Sequence, residues 1–285
     1  MSELTFTKGH GTLNDFVLLN DPDDELLLSA ADVSLLCDRR AGIGGDGVLR
    51  AVRARHIEEW SGDPDLWFMD YRNADGTLAE MCGNGLRVFV RFLVAEGLVE
   101  PGDLSVGTRA GLRHAWFLPD GRVRVSMGQV RVSDARVQVK VGSQQWAGIP
   151  VDVGNPHVVS VLRSEDQLAT LDLSRAPECE PGDHFPRGVN AEFVELRGPG
   201  RLAMRVHERG SGETWSCGTG VVAAAAAVGG VGAGGGVQVE VPGGALEVRF
   251  TDGEATLTGP AVLVAKGRWL PGFGDAAQAC ERGSS

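Results

Sequence analysis

The segment that most restricts this chain is CGTGVVAAAAAVGG, which begins at Cys217. A helix built from it has no polar side, so it must be enclosed on every side. A second segment, CGNGLRVFVRFLV from Cys82, is nearly as apolar. Both open with Cys-Gly-x-Gly, and the two cysteines lie 135 residues apart in a chain of 285. Strand-like runs precede each helix and more follow it. This arrangement implies an internal duplication, in which each half is a curved sheet wrapped around its own central helix.

The local signals fill in this frame. LTFTKGHGTLNDFVLLND reads as strand, turn, strand. SAADVSLLCDRR reads as a helix with Ser29 as N-cap and Gly42 as its C-terminal stop. LWFMDYRNADGT reads as a strand ending in the turn Asn73-Ala74-Asp75-Gly76, and the Cys82 helix is expected to reach about Glu96. In the second half, EDQLATLDL reads as a weak helix, while NAEFVELRG, LAMRVHERG, VQVEVPGG, ALEVRF, EATLTGP and AVLVAKG read as strands. GIGGDG, from Gly42 to Gly47, fits the G-x-G-x-x-G spacing of dinucleotide sites. It follows a helix and precedes a strand, the reverse of the order such a site needs, so it reads as a helix-to-strand turn.

Charge and cysteine usage narrow the function. The net charge of −11 disfavours nucleic acid or an anionic membrane as partner. The most apolar run, Val221–Val228, is too short to span a bilayer, and no signal-peptide pattern opens the chain. The five cysteines are widely spaced with no Cys-x-x-Cys, which fits reduced thiols in the cytoplasm and gives no zinc site. No metal is therefore expected.

A cysteine opening a helix meets the positive end of the helix dipole and unpaired backbone N–H groups, both of which favour a thiolate. The same N–H groups form an anion site, and the neighbouring glycines let a ligand approach the backbone. A single free cysteine is more often a small buried hydrophobe. Two, at equivalent places in a duplicated fold, suit a proton-transfer pair in which one thiol takes a proton from a carbon and the other returns one on the opposite face. A small zwitterionic substrate fits the remaining polar groups. Arg209 is suited to clamp a carboxylate and Glu208 to take an ammonium, although the pair also reads as an ion pair in a turn. Asn14, Asn73, Asn155, His157 and Asn190 supply polar side chains at expected strand ends.

These residues resemble one family. GHGTLNDF, GIGGDG, YRNADGT, MCGNG, GNPH, GVNAEF, HERGSGETWSCGTG and VPGG occur in the order typical of diaminopimelate epimerases, which need no cofactor. The resemblance covers nearly the whole chain. It implies an α/β (α+β) fold of two pseudo-symmetric domains, each a mixed curved sheet or barrel around a central buried helix, with the active site in the cleft between them. The N-terminal domain would comprise residues 1–118 plus about 262–285, and the C-terminal domain residues 119–261. The implied reaction interconverts LL- and meso-diaminopimelate for lysine and peptidoglycan synthesis. Carried over, Cys82 and Cys217 are the acid/base thiols. Gly83, Asn84, Gly218 and Thr219 would bind the reacting carboxylate through backbone N–H groups. Asn73, Asn155, Asn190 and Arg209 would hold the distal end, Asn14 and Glu208 would contribute to the pocket, and His157 would lie near the thiols. The implied partner is a small molecule, and a homodimer is compatible with the sequence.

Four positions depart from the family pattern. Gly47 stands where many relatives carry Gln, Leu13 where Gly is common, His207 where Tyr is frequent, and Trp215 is unusual before the second motif. Two other readings compete. Proline and hydroxyproline racemases are similar in architecture but usually carry His where Asn84 stands. A dithiol redox protein would use the Cys82–Cys217 pair, although Cys-x-x-Cys is missing. Cys37, Cys179 and Cys280 read as structural or incidental.

Overall fold

The structure is a computed structural model that describes residues 4–163, 165–229 and 235–270; Cys280 lies outside the described residues. The chain divides into two compact units, Met1–Val123 with Ala261–Ser285, and Arg124–Pro260.

The first unit contains β1 (Leu4–Gly11), β2 (Asn14–Asn20), α1 (Ala30–Cys37), β3 (Gly47–Arg53), β4 (Trp67–Asn73), α2 (Gly83–Ala95), β5 (Asp103–Thr108) and β6 (Gly111–Phe117). Neighbouring strands run antiparallel for β1/β2, parallel for β2/β3, antiparallel for β3/β4, parallel for β4/β5 and antiparallel for β5/β6. The last described strand, Val262–Trp269, lies antiparallel on the free side of β1, with Leu4 opposite Trp269. The β1–β2 turn is tight, and Thr12 and Leu13 both adopt positive φ, 52° and 64°. Ser29 caps α1 in a capping box with Asp32. That helix ends at Cys37, short of Gly42, because Asp38 turns extended and its carboxylate accepts from Arg40 N and Ala41 N.

The sheet curls around α2, which packs on β1, β2, β3, β6 and the last strand. Leu86, Val88, Phe89, Val90, Phe92 and Leu93 are buried along it. Burial of each stabilises the unit by roughly 1.5–3 kcal/mol.

The second unit contains β7 (Val123–Gln129, whose first residue falls in the first unit), β8 (Arg131–Val132), β9 (Val137–Val141), β10 (Gln144–Asp152), β11 (Pro156–Val161), α3 (Glu165–Thr170) and β12 (Glu178–Glu180). β13 (Asn190–Gly198), β14 (Arg201–Glu208), β15 (Gly212–Thr214), α4 (Gly218–Gly229), β16 (Val237–Val241), β17 (Gly244–Thr251) and β18 (Glu254–Gly259) complete it, which makes the last strand β19. Pairing is antiparallel for β10/β11, parallel for β11/β13, antiparallel for β13/β14, parallel for β14/β16 and antiparallel for β16/β17. This is the β1–β6 pattern again, with a helix at each matching crossover.

The central helix α4 packs against β10, β11, β13, β14, β16, β17 and β18. Its run Ala223–Ala226 is buried. Alanine favours the helix and keeps its surface narrow enough for strands to approach from several sides. The weak helix α3 stops at Thr170, and Leu171 and Leu173 enter the core beyond its end. The short strands β8, β12 and β15 carry too few residues to leave a periodic signal in the sequence. No helix among the described residues is long and apolar enough to cross a membrane.

Candidate active site

In the first unit the site grows from the start of α2. Cys82 is its N-cap, with extended φ −138° and ψ 121°, and its Sγ accepts from Gly85 N at 3.4 Å. The thiol thus takes the place a Ser or Asp oxygen would have. Cys82 Sγ also donates to Asn14 Oδ1 at 3.5 Å, and Asn84 Nδ2 donates to the same oxygen at 3.3 Å. Asn14 is held from behind, because its Nδ2 donates to Asp46 Oδ2 at 2.7 Å. Asp46 also accepts from Asp15 N and Arg39. The GIGGDG turn therefore carries the carboxylate that orients Asn14, a role its spacing did not reveal. Asn73 ends β4, with its Nδ2 donating to Thr77 Oγ1 at 3.0 Å within the turn.

Arg87, one turn into α2, is fully buried. It donates to Gly83 O at 3.3 Å and to Thr12 Oγ1 at 3.2 Å. Burial pushes its pKa down to about 10, while the charge of Cys82 draws it back up.

In the second unit the start of α4 gathers the remaining residues. Cys217 Sγ lies 3.5 Å from Thr219 Oγ1, which accepts from Asn155 Nδ2 at 3.5 Å. Asn155 Oδ1 is 2.9 Å from His157 Nε2, and His157 Nδ1 is 2.7 Å from Glu192 Oε1. Parallel pairing of β11 with β13 sets His157 beside Asn190. Asn190 bridges two segments, donating to Pro156 O at 3.3 Å and accepting from Arg209 N at 2.9 Å. The Arg209 guanidinium donates to Arg187 O at 3.3 Å.

Glu208 accepts from Thr214 Oγ1 at 2.5 Å across the β14–β15 hairpin, and its carboxylate is near enough to Cys217 for its charge to act on the thiol. Burial pushes the Cys217 thiol well above its usual pKa, and the Glu208 and Glu192 charges push it further; the Thr219 hydrogen bond opposes them. The lowering expected from the helix start is therefore outweighed at Cys217, which is only 6% exposed. Desolvation likewise raises Glu192, with His157 pulling against it and Glu208 adding to it.

Period-two alternation along β13 places Glu192 on the same face as Asn190. That pattern was readable in NAEFVELRG, although nothing in it distinguished a site carboxylate from a solvated one. Among the described residues no cluster of three His, Cys, Asp or Glu side chains is placed to hold a metal ion.

A family model described as diaminopimelate epimerase matches residues 6–133 and 149–264. The chain belongs to the diaminopimelate epimerase family. A diaminopimelate epimerase of Streptomyces coelicolor is 47% identical, over 95% of this chain and 98% of its own length. One of Thermobifida fusca is 50% identical, over 93% and 97%. Among solved structures, a probable proline racemase from Agrobacterium radiobacter covers 95% of this chain and 94% of its own with a TM-score of 0.67. At 17% identity that likeness is one of fold alone.

The positions expected to depart from the family pattern differ in their surroundings. A Cβ at Gly47 would lie 2.5 Å from Arg72 O and 2.7 Å from the Tyr71 ring, so this chain has no room for a side chain there. Leu13 occupies one of the two positive-φ turn positions directly before Asn14. His207 is buried on β14, and Trp215 is 62% exposed with its carbonyl accepting from Gly243 N.

Proposed function

We propose that this chain is an isomerase that interconverts LL- and meso-2,6-diaminopimelate, moving a proton between two cysteines without a cofactor. The observation that carries the reading is the matched placement of Cys82 and Cys217. Each opens the buried helix of a repeated topology, in a chain of this family. In the proposed reaction one thiol removes the α-proton and the other protonates the opposite face. Burial and two carboxylates favour the protonated form of Cys217, which suits this thiol to deliver a proton; the two thiols exchange roles when the reaction runs in reverse. The backbone N–H groups of Gly83, Asn84, Gly218 and Thr219 take the reacting carboxylate at the helix starts. Asn73, Asn155, Asn190 and Arg209 hold the distal end, Asn14 and Glu208 complete the pocket, and His157 supports the second thiol.

The test is incubation with LL-diaminopimelate in D₂O. The expected outcome is α-deuterium together with the meso isomer. Cys82→Ala and Cys217→Ala should each lower kcat by at least about 10²–10⁴-fold, the usual range for an acid/base group. Substantial turnover by either variant, or exchange with L-proline in place of diaminopimelate, overturns the reading. The proposal includes a cytoplasmic homodimer that acts on a small molecule, with neither nucleic acid nor membrane as partner; the net charge of −11 supports the last point. Sedimentation checks the dimer, and a 30.1 kDa species would remove that part.

A further inference from the structure

The repeated topology supplies an internal comparison. Asn14 opens β2 as Asn155 leads into β11, and Phe16 pairs with Gly47 as His157 pairs with Asn190. Two residues along β3 from Gly47 is Leu49, and two along β13 from Asn190 is Glu192. A Cβ at Gly85, three residues after Cys82, would meet the Phe16 ring at 3.4 Å and Leu49 Cδ2 at 3.5 Å. A Cβ at Gly220, three residues after Cys217, would meet Glu192 Oε1 at 2.7 Å. Beneath Cys82 the fold thus uses an apolar pair, and beneath Cys217 it uses a buried His–Glu pair in the same positions. Packing does not require the polar pair. Burying it costs desolvation, and Glu192 Oε2 has no hydrogen-bond partner among the described residues.

The hydrogen bonds leading from this pair run through Asn155 and Thr219 to Cys217. Both ring nitrogens of His157 face acceptors, Glu192 Oε1 and Asn155 Oδ1. With Asn155 presenting Oδ1, Nε2 carries a proton, so His157 is either the Nε2–H tautomer facing a protonated Glu192 or an imidazolium facing its carboxylate. Asn155 then accepts with Oδ1 and turns Nδ2 to Thr219 Oγ1. Thr219 Oγ1 accepts from that amide, so its own O–H points away from Asn155 and is available to Cys217 Sγ, which as a thiolate can only accept. We propose that Glu192 is a positioning residue for proton transfer at Cys217. Through His157 and Asn155 it fixes the direction of the Thr219 hydroxyl, so that the hydroxyl donates to the sulfur as the thiolate forms. Such a donor stabilises the charge that develops at Cys217 and counters the nearby Glu208 carboxylate. The inference rests on the function proposed above.

Two measurements on the full chain test it. Multiple-bond ¹⁵N–¹H spectra, with His157 assigned by its loss in His157→Gln, read the ring protonation. A proton on Nε2 is expected, and a bare Nε2 overturns the proposal. The second measurement is a kinetic cycle of Glu192→Gln, Thr219→Val and the double variant. Gln fills the same space but can either donate or accept, so it releases the ring tautomer. Each single change should lower kcat by about tenfold, the worth of one hydrogen bond to a charged acceptor, with KM little changed. The double variant should be no slower than Thr219→Val alone, because both remove the same terminal donor. Additive losses, or wild-type kcat in Glu192→Gln, overturn it; losses that track a fall in Tm assign Glu192 a structural role only. If Glu192→Gln does not fold, the ring spectrum of the wild type decides. If the wild type does not epimerise diaminopimelate, the proposed function fails separately. The same cycle is then read from the iodoacetamide alkylation rate of Cys217 at fixed pH.

Discussion

At Leu13 a branched side chain occupies a left-handed turn position, φ 64°, while 47% exposed. Glycine adopts that conformation at no steric cost, and the side chain gains little burial in return. Leu13→Gly should therefore stabilise the protein by about 1 kcal/mol, read as a higher denaturant midpoint at unchanged slope. One residue on, Asn14 depends on Asp46 for its orientation. Asp46→Ala frees the amide to rotate and should lower kcat/KM by about tenfold. Unchanged kinetics would mean that the neighbouring backbone holds Asn14 without help. The two residues illustrate what was legible. Cys82, Cys217 and the asparagines stand in short contiguous motifs that a single sequence displays. Asp46 and Glu192 hydrogen-bond partners about 30 residues away, and that proximity comes from strand register, which no local pattern encodes.

At the scale of elements, the two central helices were legible because each is apolar on nearly every face. The end of α1 was not, because an Asp38 side-chain turn stops the helix before the expected glycine. The helices also differ in how closely their first turns are approached. Gly85→Ala would place its methyl at ordinary contact distance from Phe16 and Leu49 and should change stability by less than about 1 kcal/mol. Gly220→Ala drives a methyl against Glu192 and should destabilise by about 1–3 kcal/mol. Thermal melts of the two variants give the comparison directly. The apolar counterpart in the first unit suggests a further variant. His157→Phe combined with Glu192→Leu should match or exceed wild-type stability by up to about 4 kcal/mol, as for buried ion pairs replaced by hydrophobes. Glu192→Leu alone should be less stable than either.

At the scale of the whole molecule, Asp15 and Asp70 in the first unit and Glu192 in the second respond oppositely to acid. Burial alone would raise Asp70, but Arg50, Arg72 and Arg109 hold it below the usual carboxylate range. Asp15 is held low in the same sense by Arg39 and Lys8 against its own desolvation. A lowered folded pKa contributes stability that is present above the unfolded value, about 3.9, and lost as pH falls through the folded one. Glu192 has the opposite sign, because its raised pKa burdens the fold above about 4.3 and protonation relieves it. Hydrogen exchange followed down a pH series should therefore lose protection in β2–β4 before β11–β14. Loss in the reverse order would contradict these assignments.

The pairing of β19 with β1 also sets an order of assembly. A chain emerging from the ribosome presents the first unit's strands early, but β1 keeps one edge unpaired until Val262–Trp269 has been made. The second unit, contiguous from Arg124 to Pro260, can complete its sheet before then. The unit that is synthesised first thus receives its last strand last, and its waiting edge must stay soluble meanwhile. The polar and small residues along β1, Thr5, Thr7, Lys8 and Gly9, suit an edge that has to wait.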